Sequence, residues 1–185
     1  MRKVLHGLLL CAAGAVMAGC GAGGARAGAA AAPASASARA AIRAGDPGRS
    51  SEQVAILSAW RAALSAIDTA ARTADWRSAA IRATHVMPQL GIVEHNLLAM
   101  HLDGEVATGH DRLLWARVVS IDGSTAEVVG CVSGDEIGVF AATGRPVPGI
   151  AGEAGKAGIT STMLLTSSGW KLEHQSGTEG TCRPS

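Results

Sequence analysis

The chain has 185 residues, with sixteen Lys and Arg against fifteen Asp and Glu for a net charge of +1. That balance is uneven, because residues 51–185 hold ten basic and fourteen acidic residues, or −4, and the basic excess lies ahead of them. An acidic body on a basic stalk excludes a domain that grips nucleic acid through its phosphates.

Arg2 and Lys3 precede an apolar run from Gly7 to Met17, and the small residues Ala18 and Gly19 follow, which is the layout of an export signal over residues 1–19. The run is too short to span a bilayer, which takes about 20 residues at helical rise. Met17-Ala18-Gly19-Cys20 resembles a bacterial lipobox, and the resemblance implies that Cys20 is acylated and opens the mature chain. It departs from the usual pattern in having Met rather than Leu at position 17. The competing reading is an ordinary signal cut near Ala25 or Ala29, releasing a soluble secreted protein. Two or three acyl chains anchor stably where one is marginal, so the expected location is the outer face of the cytoplasmic membrane. Residues 20–50 are almost wholly Ala, Gly, Ser, Arg and Pro without apolar periodicity, and read as a flexible tether of roughly 30 Å reach. Arg26, Arg39, Arg43 and Arg49 either lie against anionic headgroups, at about 1 kcal/mol per nearby charge, or keep the linker soluble.

Residues 51–185 read as one α+β domain. Ser50-Ser51-Glu52-Gln53 is a capping box, and Val54, Leu57, Trp60, Leu64, Ile67 and Ala71 form an apolar stripe at helical spacing. A second, shorter helix is predicted from about Asp75, carrying Trp76, Ala80 and Ala83 and ending before Pro88. Leu90, Val93, Leu97 and Met100 give a third, closed by a left-handed cap at Gly104. From Glu105 the pattern turns to strands. Leu113 to Ile121 and Ala126 to Val132 flank the turn signal Asp122-Gly123, and a short strand covers Ile137 to Phe140. The prolines of the following loop exclude a central strand. A Gly-rich excursion over 150–158 leads to Ile159 to Thr166, the turn Ser167-Ser168-Gly169 and a last strand from Trp170 to His174. Helices followed by an antiparallel sheet predict a curved sheet wrapped around the first helix.

Cys11 leaves with the signal and Cys20 is taken by lipid, so Cys131 and Cys182 remain to form a disulfide outside the cytoplasm. A redox-active pair is disfavoured because no Cys-x-x-Cys spacing lowers a thiol pKa.

A long first helix carrying a Trp, shorter helices, a VVSIDGSTAEVVGC hairpin and a closing GWKLEHQ strand resemble the cone-shaped domains of the nuclear transport factor two superfamily, SnoaL-like proteins included. Tethered actinobacterial lipoproteins bearing such a domain are the nearest likeness, in keeping with the preference for Arg and Ala over Lys. The resemblance implies a conical interior and dimerisation through the outer sheet face, giving a homodimer as one expected partner arrangement. It does not select a function, since the superfamily holds isomerases, polyketide cyclases and adaptors.

The steroid-isomerase branch stabilises an enolate with a Tyr and acidic residues, and this chain has no Tyr. His85, His95, His101 and His110 crowd near Asp103, Glu105 and Asp111, which invites a metal. However, there is no His-Glu-x-x-His, and His95 and His101 are six apart on a helix and do not share a face. No metal and no cofactor is assigned. No catalytic residue is assigned either, as there is no Gly-x-Ser-x-Gly elbow, and the GAGGARAG run lacks the strand, turn and Lys of a phosphate loop. Asp135, Glu136 and Arg145 read as solvated turn residues. Trp60, Trp76, Trp115 and Trp170, four of five aromatic residues, either meet in the core or line a pocket for an apolar ligand. The leading reading is a membrane-anchored, non-enzymatic binding or interaction module of the cell envelope. Its partner would be an envelope protein or a small apolar ligand. The alternative is a small-pocket enzyme of cyclase or isomerase type, or a carrier of an apolar ligand.

Overall fold

The computed structural model describes residues 50–148, 155–179 and Cys182. The expected signal peptide, the acylated Cys20 and the tether up to residue 49 lie outside the described residues.

The capping box forms as read: Ser50 Oγ accepts from the Gln53 amide at 3.2 Å, and Gln53 Oε1 accepts from the Ser50 amide at 3.1 Å. Helix α1 then runs Ser51–Ala71 and buries Ile56, Leu57, Trp60, Ala63, Ala66, Ile67, Ala70 and Ala71. This face differs from the expected stripe, since Val54 is 54% exposed and Leu64 only half-buried. The helix is gripped on two sides, and alanines at 63, 66 and 70 let neighbours approach its backbone while adding little hydrophobic signal.

The second helix starts later than the sequence suggests. Ala74 takes a left-handed φ of 49° and Asp75 Oδ1 accepts from the Arg77 amide at 3.1 Å, a side-chain turn that competes with helix. Helix α2 is therefore only Ala79–Thr84, and Trp76 sits in the turn before it. Nor does Pro88 end α2. It is the N-cap of α3, Gln89–Asp103, which Gly104 closes at φ 70° as expected.

The strands are β1 Glu105–Thr108, β2 Asp111–Asp122, β3 Thr125–Gly134, β4 Ile137–Phe140, β5 Gly155–Thr166 and β6 Gly169–Glu179. They form two sheets where one was expected. β2-β3-β5-β6 is the main antiparallel sheet, while β1 pairs with β4 apart from it. β5 begins at Gly155, inside the supposed excursion, because the ladder with β3 continues to the pair Gly134 and Gly155. Edge strand β6 is closed by the link between α2 and α3: the Val86 amide donates to Leu172 O at 3.0 Å and the Gln175 amide to Gln89 Oε1 at 3.2 Å.

Two clusters make the core. Ile56, Leu57, Trp60 and Ala63 of α1 pack on Ala116, Ala126, Val128, Val132, Ile159, Met163 and Leu172 of the main sheet. The second half of α1 meets Ile81, Val93, Leu97 and Ala107. Along β3, Ala126, Val128, Gly130 and Val132 face α1 by strand alternation, and Cys131 faces away. There it forms the expected disulfide with Cys182, Cα to Cα 5.4 Å.

Candidate functional site

Trp60 is fully buried in the concave interior. Its ring rests on the sheet where β3 has no side chain, since a Cβ on Gly130 would lie 2.6 Å from Trp60 Cη2. Trp60 Nε1 donates to Ser161 Oγ at 2.9 Å, which satisfies the one polar atom a buried indole carries. The four tryptophans do not converge. Trp170 packs against the cluster around Trp60, Trp76 against the α1–α3 cluster and beside Arg77, whose guanidinium lies 4.3 Å from its ring centroid. Trp115 pairs with Cys131 across a β-bulge and so lies on the outer face, beside the disulfide.

A polar seam runs from Trp60 toward β6. Ser161 pairs in register with Gln175, the Gln175 amide bonds Gln89, and His85 lies four residues before Gln89. Ser161, Gln175, Gln89 and His85 are 1, 2, 5 and 1% exposed. His85 Nδ1 is 3.1 Å from Ile81 O. A carbonyl only accepts, so Nδ1 carries the proton and Nε2 is a lone pair. Burial lowers the His85 pKa from 6.5 to about 4, against the smaller opposing effect of the Ile81 carbonyl, and the ring is neutral at pH 7. Among the described residues, His85 Nε2 and both amide atoms of Gln175 have no hydrogen-bond partner.

A second constellation sits where β2 begins and β3 ends. Arg72 at the end of α1 pairs with Asp68 at 2.9 Å, donates to Gly109 O at 2.7 Å and lies 3.0 Å from His110 Nδ1. A guanidinium only donates, which makes Nδ1 the acceptor and puts the His110 proton on Nε2. Asp135 Oδ1 accepts from the His110 amide at 2.9 Å, and this bond lowers the Asp135 pKa. Glu136 is half-buried, not the solvated turn residue its sequence context implied. Burial first, then repulsion from Asp111 and Asp68, raise its pKa from 4.5 to about 7, and its carboxyl hydrogen-bonds Asp68. Burial of its carboxyl also raises Asp111, with Asp68 and Asp135 adding to the effect, although the residue as a whole is exposed. Asp68 and Arg72 carry no motif in the sequence. Their only signal there was an i,i+4 pair on α1.

Beside this corner is a cleft of about 490 Å³ lined by His110, Arg112, Ser133, Gly134, Asp135, Gly155 and Lys156. Among the described residues no group of three or more His, Cys, Asp or Glu side chains is arranged to hold a metal ion. His95 and His101 are exposed on α3, apart from buried His85. Arg145 is exposed in the loop after β4.

Helices leading into an antiparallel sheet, with α1 lying across its inner face, make an α+β fold. Among solved structures, the intermembrane space region of chloroplast protein ARC6 is similar at TM-score 0.50 and 18% identity, over 72% of this chain and 100% of that one. A ketosteroid isomerase-like protein from Erwinia carotovora atroseptica (TM-score 0.48, 16%, over 72% and 99% of the two chains) and an NTF2-like protein from Novosphingobium aromaticivorans (0.42, 16%, 70% and 85%) are similar too. No protein-family model and no curated protein matches the sequence. At such identities the likeness is one of fold, which leaves function to the site.

Proposed function

We propose that this protein is an extracytoplasmic lipoprotein, held at the outer face of the cytoplasmic membrane by acylated Cys20, whose cone is a non-enzymatic binding or interaction module of the envelope. The observation that carries the reading is the packing of the interior. Trp60, Ile56, Leu57, Met163 and Leu172, each 2% exposed or less, occupy the concave face where an enzyme of this shape would hold substrate. Binding is then left to the outside of the cone, to an envelope protein or a small ligand. A homodimer through the outer sheet face belongs to the same reading, and its footprint has to accommodate Cys182, which the disulfide holds on that face beside Trp115.

Two measurements test this. Cys20→Ala is expected to move the protein from the membrane pellet to the medium, and unchanged fractionation sinks the anchor. Native mass spectrometry of the protein purified gently from its host is expected to give a bare mass, monomer or dimer, with the disulfide intact. A co-purified apolar molecule would instead establish the second reading, a carrier or small-pocket enzyme of cyclase or isomerase type. That reading is favoured by one observation, a buried neutral His85 whose Nε2, like both amide atoms of buried Gln175, has no hydrogen-bond partner among the described residues. Such perturbed buried groups are more frequent at functional sites than elsewhere.

A further inference from the structure

The cleft at the end of the sheet is built by strand register. Arg112 on β2, Ser133 on β3 and Lys156 on β5 are cross-strand partners in one row, so their side chains leave the same face of the sheet. The next row is Asp111, Gly134 and Gly155. Its side-chain positions leave the opposite face by alternation, where the Asp111 carboxylate lies against Gly134, and the corner beside the cleft is packed closely enough that a Cβ on Gly109 would lie 2.5 Å from Asp135 O. Neither Arg112 nor Lys156 has an ion-pair partner among the described residues. His110 contributes a third donor, because Arg72 occupies its Nδ1 and leaves the Nε2 proton outward.

Four groups able to donate thus line one cleft: a guanidinium, an ammonium, an imidazole N–H and a hydroxyl. The Arg112 and Lys156 cations against the single carboxylate of Asp135 leave the lining with an excess of one positive charge from these three groups. This suits a monoanion rather than a dianion. A phosphate monoanion has enough acceptor oxygens for all four donors, and Arg with Lys is the usual pairing for it. The domain as a whole is acidic, so a local basic row is not a by-product of its composition.

We propose that this cleft is a binding site for a monoanionic phosphate group, held by Arg112, Lys156, Ser133 and His110 Nε2–H. The group has two sources, free phosphate and the phosphodiester of a membrane lipid. The site goes beyond the module reading, and binding does not depend on the anchor, so the two fail separately.

The experiment uses the full chain carrying Cys20→Ala, which removes any acyl chain. Titration with inorganic phosphate at pH 6 is followed by NMR, and a saturable shift of the His110 imidazole and the Ser133 and Gly134 amides is expected. Arg112→Gln and Lys156→Gln are each expected to weaken binding about tenfold, the loss of one charge-assisted bond. Lys171→Gln, on β6 at the other end of the sheet, is expected to leave it unchanged. Both cations are exposed, so their loss leaves the fold intact. A second arm measures co-sedimentation with phosphatidylglycerol vesicles. Binding that Arg112→Gln weakens identifies the lipid source, and a response to free phosphate alone identifies the soluble one. The proposal is overturned if neither probe binds saturably, or if Lys171→Gln weakens binding as much as Lys156→Gln, which would mean general attraction to surface charge.

Discussion

Gly130→Ala tests the central packing claim. The new Cβ would sit 2.6 Å from Trp60 Cη2, 3.3 Å from Trp60 Cζ2 and 3.2 Å from Trp115 O. Ordinary carbon contacts begin near 3.5 Å, so the indole or the strand has to shift by close to an ångström. The indole cannot slide freely, since Nε1 is bonded to Ser161 at 2.9 Å and the ring is wholly buried. Overpacking of this kind costs about 1–3 kcal/mol, and the upper half of that range is expected because one methyl meets a rigid ring on one side and backbone on the other. For a domain of this size the loss lowers Tm by roughly 5–10 °C. The assay is urea unfolding of the parent, Gly130→Ala, Trp60→Phe and the double variant. Phe lacks the outer ring that the methyl strikes, so Gly130→Ala is expected to cost at least about 1 kcal/mol less in the Phe background, a coupling readable by a double-mutant cycle. A coupling energy near zero would refute the reasoning, because the loss would then come from strand backbone and not from the Trp60 contact.

The disulfide spans 51 residues, and the chain-entropy estimate for such a loop is about 4 kcal/mol; the Cys131→Ser, Cys182→Ser double variant is expected to lose most of that in denaturant midpoint, and a change under 1 kcal/mol would contradict it. His85 has a folded pKa near 4 against 6.5, so the unfolded chain takes the proton first. Stability is therefore expected to fall as pH drops from 6.5 to 4, by up to about 3 kcal/mol at 1.36 per pH unit, and His85→Phe is expected to remove that slope. Glu136 behaves oppositely: its folded pKa of about 7 lies above 4.5, so its contribution is whole below pH 4.5 and lost as pH rises through 7. Discounted for partial exposure, Glu136→Gln is expected to raise stability at pH 8 by roughly 1–2 kcal/mol and to do little at pH 4, as followed by urea midpoints at the two pH values.

The sequence was most informative where local chemistry settles the matter. The box at Ser50 and Gln53, the Gly104 cap, the hairpin through Asp122-Gly123 and strand Ile137–Phe140 all form where read. It was least informative where the outcome depends on a distant partner. Val54 and Leu64 fit a helical stripe as well as Ile56 and Ala63 do, and only the position of the sheet decides between them. Trp115 is expected in the core or a pocket with the other tryptophans, but the bulge at Leu114 turns it to the outer face. The corner of Asp68, Arg72, His110 and Glu136 draws residues up to 68 positions apart, and no spacing rule joins them. His85 reads as a metal candidate among the clustered histidines, whereas its surroundings make it a buried neutral ring whose Nε2 has no partner among the described residues.

The two titrations have opposite signs and overlap between pH 4.5 and 6.5, where both groups are partly converted. The His85 penalty grows as acid drives a proton into the seam under β6, and the Glu136 penalty grows as base drives one out of the corner at the C-terminal end of α1. His85 lies between Ile81 of α2 and Leu172 of β6, whereas Glu136 lies by Asp68 and Arg72 at the end of α1, so each penalty loads a different junction. Acid therefore strains the contact of β6 with the α2–α3 link and the start of α3, made by the Val86 and Gln175 amides, while alkali strains the contact between α1 and the β1–β2 and β3–β4 corners. Hydrogen exchange distinguishes these from a uniform loss of stability. At pH 4 the amides of Val86 and Gln175 should lose protection before the His110 amide, and at pH 8 the order should reverse. If all three shift in parallel at both extremes, the domain opens only as a whole and the two junctions are not separate.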